Sequence, residues 1–71
     1  MIISYKKLWK LLIDRDLKKK DLRQMAGISP STIAKLGRNE NINTEVLVKI
    51  CTSLKCDLHE IMELISEEKE V

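Results

Sequence analysis

Apolar residues recur along this chain at helical spacing, interrupted by short polar stretches rich in turn formers. Tyr5, Leu8 and Leu12, flanked by Trp9 and Leu11, line one face as far as Asp14. With Ser4 as the capping residue they predict a first helix over about residues 5–15. Leu22, Met25 and Ala26 mark the inward face of a second helix over about 18–26, stopped by Gly27 where a left-handed glycine commonly ends a helix. Ser29 caps a third helix over about 30–37; Pro30 sits in its first turn, where a missing N–H costs nothing, and Ile33 and Leu36 point inward. The polar run 37–43 predicts a loop with Ile42 turned to the core. Asn43 or Thr44 caps a fourth helix whose Leu47, Ile50, Cys51 and Leu54 follow an i, i+3, i+4, i+7 stripe. Asp57 and Glu60 have the spacing of a capping box and predict a fifth helix with Leu58, Ile61, Met62 and Ile65 inward. The expected architecture is all-α with five helices, one domain over 1–66 and an acidic tail over 67–71.

Size and chemistry narrow the function classes. A 71-residue chain buries only about 60% of its unfolded surface, which leaves little room for an enclosed active site. The sequence shows no paired carboxylates, no nucleophile beside a base, no glycine-rich phosphate loop and no metal-ligand cluster, so no enzyme, cofactor or metal is expected. His59 stands alone, and Tyr5 and Trp9 fall among leucines at helical spacing and read as packing residues. No segment approaches the roughly 20 apolar residues that cross a bilayer, and Met1 to Ile3 is too short for a signal-peptide centre. The expected location is the cytoplasm, with no membrane partner. Cys51 and Cys56 match neither a redox pair nor half a zinc site in spacing; reduced core thiols are expected, with a structural disulfide as the alternative.

Net charge is only +2, yet it is unevenly placed. Residues 1–38 carry ten Lys or Arg against three Asp, and residues 39–71 carry three Lys against eight acids. A basic half suits a polyanion, because Lys and Arg contacts to phosphate release counterions. The polyanion is identified by what lies between Leu17 and Leu36: a short helix, the turn Gly27-Ile28-Ser29, and a second short helix. Leu22, Ala26, Ile28, Ile33 and Leu36 hold the two at a steep angle and leave the outer side of the later helix free, which is the geometry of a helix-turn-helix.

The stretch Lys18-Lys19-Lys20-Asp21-Leu22-Arg23-Gln24-Met25-Ala26-Gly27-Ile28-Ser29-Pro30-Ser31-Thr32-Ile33-Ala34-Lys35-Leu36 resembles the Cro/cI-type (XRE) helix-turn-helix, whose pattern runs roughly T-Q-E-E-L-A-x-x-x-G-V-S-x-S-T-I-S-x-I. The run Leu47 to Ile61 is similar to that family's L-L-K-I-A-x-x-L-x-V-x-x-x-E-L ending, so the likeness covers nearly the whole chain. The I-C-x-x-L-x-C form of the ending resembles the short stand-alone regulators of the VanU type from glycopeptide-resistance operons. Two departures stand out. Arg23 replaces the usual Ala, so that either its stem bends outward or the angle between helices opens; Gly37-Arg38-Asn39 replaces Glu-Arg-Gly, with Asn39 able to take the left-handed conformation and Gly37 able to shorten the third helix.

The resemblance implies, and helix geometry supports, that Ser31, Thr32 and Lys35 face base edges with Pro30 and Ala34 lining the contact. The alternative for Ser31 and Thr32 is that they only cap the first turn. Lys18, Lys19 and Lys20 stand where the family grips phosphate, and Arg38, Asn39 and Asn41 are expected on a second phosphate track, with Arg23 and Lys10 as weaker candidates. None of the base readers is Arg, Asn or Gln, so specificity is expected to draw on DNA shape and on paired half-sites read by a homodimer, through Met62, Leu64 and Ile65. The predicted function is a DNA-binding transcriptional regulator of duplex DNA. The competing reading is an antitoxin-like or adaptor module that uses its acidic half to hold a basic protein.

Overall fold

The computed structural model describes residues 1–66; the predicted acidic tail at 67–71 lies outside them. Four α-helices, α1 (Lys6–Asp14), α2 (Lys19–Ala26), α3 (Pro30–Gly37) and α4 (Thr44–Leu54), are framed by two three-residue strands, β1 (Ile2–Ser4) and β2 (Glu63–Ile65). The strands pair antiparallel, Ile2 opposite Ile65, Ile3 opposite Leu64 and Ser4 opposite Glu63, and bring the two ends of the described chain together.

Each helix boundary has a local cause. Ser4 belongs to β1, and α1 is entered through Tyr5; the Ser4 hydroxyl still accepts from the Lys6 amide at 3.3 Å. The Asp21 carboxylate accepts from the Lys18 amide at 2.8 Å at the start of α2. Gly27 closes α2 in the left-handed region, φ 68, a conformation glycine adopts without steric cost. Ser29 caps α3 by accepting from the Thr32 amide at 3.2 Å, and Asn43 caps α4 by accepting from the Glu45 amide at 2.6 Å.

The core unites Tyr5, Leu8 and Leu12 of the α1 segment, Leu22 and Ala26 of α2, Leu36 of α3, Leu47, Ile50 and Leu54 of α4, and Ile61. Ile28, Ile33 and Ile42 pack partly buried against it. α2 rests on both α3 and α4, and the Ser53 hydroxyl of α4 donates to the Met25 carbonyl at 3.1 Å, fastening the end of α2 just before its turn.

The fifth helix is corrected. Residues Leu58–Glu60 form a single 3-10 turn, opened by the Asp57 amide donating to the Glu60 carboxylate at 2.9 Å, and the chain then straightens into β2. Ile61 is the deeply buried residue of this segment and Met62 is half-buried, whereas Leu58 and Ile65, expected inward, are exposed. The physical reason is strand pairing: β1 offers an open edge, and residues 63–65 satisfy its backbone groups instead of continuing a helix. Met25 is likewise exposed and not inward. Cys51 and Cys56 are free thiols, as expected, but half-buried at the edge of the core.

Candidate nucleic-acid interface

Pro30, Ser31, Ala34 and Lys35 are exposed on α3, and Thr32 is half-exposed. Among the described residues no hydrophobic packing covers this side. The helix is anchored from behind by buried Leu36 and by Ile33, so its first two turns project from the molecule as a rigid ridge. At its start three hydroxyls gather: Ser29 Oγ lies 3.0 Å from Ser31 Oγ and 3.0 Å from Thr32 Oγ1. In the free protein, therefore, Ser31 and Thr32 take part in the cap while remaining at the surface. A hydroxyl is both donor and acceptor and rotates at little cost, so these groups can hold the cap and still present an atom to a base edge.

The three lysines before and within the first turn of α2 are all exposed. Lys19 is partly engaged, its ammonium lying 4.7 Å from the centre of the Trp9 ring. This contact gives half-buried Trp9 of α1 a second task beyond packing, that of steadying a cation at the entrance to α2. Arg23 is half-buried with its Nε enclosed and without a hydrogen-bond partner among the described residues, so the departure from Ala places a cationic side chain of α2 partly inside the protein.

In the loop after α3, Arg38, Asn39 and Asn41 are exposed. Asn39 adopts φ 57, the left-handed conformation its side chain tolerates. Its carboxamide oxygen accepts from the Tyr5 amide at 3.0 Å, and the Tyr5 hydroxyl donates to the Glu40 carbonyl at 3.0 Å and accepts from the Ile42 backbone. Burial pushes the Tyr5 hydroxyl's pKa upward. Tyr5 thus latches the loop to the start of α1, and the latch engages the Asn39 side chain through its oxygen. Arg38 pairs with the Glu40 carboxylate, both side chains exposed. The sequence carried no local signal for the latch, which joins residues more than thirty positions apart. The Arg38–Glu40 pair, two residues apart, is a signal the sequence itself carries.

Two short helices joined by a glycine turn, the second exposed along one side and the first opened by lysines, define the helix-turn-helix class. The comparisons agree. The chain belongs to the family described as Cro/C1-type HTH DNA-binding domains, whose model matches residues 7–67. The chain is similar to a solved structure described as transcriptional regulator VanUg, with 56% sequence identity and a TM-score of 0.89, over 93% of this chain and 88% of that one. No curated protein sequence matches. Among the described residues no helix is long and apolar enough to cross a membrane.

Proposed function

We propose that this chain is a sequence-specific transcriptional regulator that places α3 in the major groove of duplex DNA. The uncovered ridge Pro30 to Lys35, on a domain of a DNA-binding family, is the observation that carries the reading. Lys35 donates to guanine O6 or N7, the Ser31 and Thr32 hydroxyls serve neighbouring bases, and the Ala34 methyl meets thymine. Lys18, Lys19 and Lys20 grip one phosphate track, where the N-terminal end of α2 adds its own positive potential. Arg38, the Asn39 NH2 and Asn41 grip the other. The name of the similar solved protein supports the regulatory role.

The test is a salt titration of binding to the DNA upstream of the chain's own coding sequence. Each phosphate contact adds about one unit to the slope of log K against log salt, so Lys18→Gln and Lys20→Gln should each flatten it by about one. Unchanged affinity and slope in the double variant would remove the lysines from the interface.

The regulator acts as a homodimer on DNA, because one short helix with few readers covers only part of a site. The apolar surface favoured for pairing is the β1–β2 ribbon, where Met1 is 81% exposed, Ile2 43%, Leu64 59% and Ile65 39%. Met62, packed against the protein's own core, drops out of the expected surface. Sedimentation of the protein on a two-half-site duplex should give two copies per DNA, and Leu64→Glu should reduce this to one; a single copy for the parent protein contradicts pairing.

A further inference from the structure

α4 ends in a left-handed turn that carries both cysteines. Lys55, directly after the helix, has φ 54, and the Cys56 amide turns back to donate to the Cys51 carbonyl at 3.0 Å. In a helix end of this kind the two residues that share this bond also bring their side chains together, a contact ordinarily made by apolar groups. Here the two residues that share the bond both carry free thiols. Both residues are half-buried, and both line an open groove with Val48, Thr52 and Leu58. The groove holds none of the residues assigned to DNA, so the pair is unexplained by that function.

We propose that Cys51 and Cys56 form a dithiol site that reacts with low-molecular-weight disulfides and closes to an intramolecular disulfide across the C-terminal turn of α4. Cys56 attacks first. The Arg15 guanidinium, which donates to the Leu54 carbonyl at the same helix end, places positive charge near Cys56 and favours its thiolate. Deprotonated Cys56 attacks one sulfur of R–S–S–R, forming a mixed disulfide and releasing one RSH that carries away the Cys56 proton. Cys51 then gives up its own proton, attacks the Cys56 sulfur and expels the second RSH. Two protein thiols are oxidised, one small disulfide is reduced, and the two protons leave on the two RSH molecules.

The environment sets the rate. Burial, with the neighbouring Cys56 and then Asp57 and Glu60 adding to it, pushes the Cys51 thiol up to about 11, and burial also raises Cys56. Thiolate is the reacting form, so exchange is slow near neutrality and quickens as pH rises. In a reducing compartment the pair rests as a dithiol and closes only when the pool of small disulfides grows.

The experiment incubates the full chain with glutathione disulfide over a series of pH values and follows the intact mass. The expected product is lighter by two hydrogen atoms and free of glutathione, forming about tenfold faster for each pH unit below the thiol pKa. Cys51→Ser, checked for folding by circular dichroism, should instead accumulate one glutathione on Cys56. The proposal is overturned if the parent protein stops at glutathione adducts, or stays a dithiol under conditions where its urea-unfolded form oxidises. That comparison needs no variant.

Discussion

Arg38 sits beside the Glu40 carboxylate in water, both side chains exposed. An exposed pair of this kind contributes at most about 1 kcal/mol, so a DNA phosphate competes with Glu40 for the same guanidinium on favourable terms. The carboxylate also repels the phosphate directly. Glu40→Gln should therefore strengthen DNA binding by about twofold to tenfold at low salt, with the gain fading as salt rises. Fluorescence anisotropy at two ionic strengths would measure it. The substitution leaves the Glu40 carbonyl in place to accept from Tyr5, so a change in affinity reports charge and not loop position. At this scale the surface positions were largely legible: Pro30, Ser31, Ala34 and Lys35 of α3 and the lysine trio are exposed, and Asn39 is left-handed, as residue type and spacing put them. What sequence did not disclose was the partner each group has in the free protein, such as Trp9 under Lys19 or the Tyr5 amide on Asn39. Those partners lie in other elements.

Elements are tied to one another by a few long-range bonds, and the Tyr5 latch is the one nearest the site. It joins the start of α1 to the loop that follows α3, through Asn39 and Glu40. Tyr5→Phe keeps the ring in the core and removes the hydroxyl alone. The expected cost is about 1 kcal/mol of stability, or more if the Glu40 carbonyl is left without a partner. A urea midpoint that falls with unchanged slope would show it. DNA affinity should fall as well, since the loop carrying Arg38 and Asn41 loses one of its two ties and keeps only the residue-5 amide bond to Asn39; unchanged affinity would separate the hydroxyl tie from recognition. α1 was readable from an apolar face that repeats over two turns, and α2, α3 and α4 because each also carries its own stop or cap, Gly27, Ser29 and Asn43. The last element was not. Asp57 and Glu60 do cap a turn, but a cap says only how a helix starts. Three-residue strands are too short for an alternating pattern to register, and the pairing of β2 with β1 spans the whole described chain.

For the whole molecule, the basic first half and acidic second half become a polarity of function. In the proposed function the half that carries α2 and α3 meets DNA, while the half that carries α4 and β2 packs against it and supplies one strand of the apolar ribbon. Net charge near zero would predict little affinity for a polyanion, and it misleads here because the charges are separated along the chain. The central claim is that the outer side of α3 reads bases. It is tested most directly by measuring, at one fixed salt concentration, the affinity of the parent protein and of the Ser31→Ala, Lys35→Ala double variant for a bound duplex and for a shuffled duplex of the same composition. If α3 lies in the major groove, the double variant should lose about tenfold to a hundredfold on the bound sequence and much less on the shuffled one, because base contacts carry the discrimination. Equal losses on both sequences, or none on either, would contradict it.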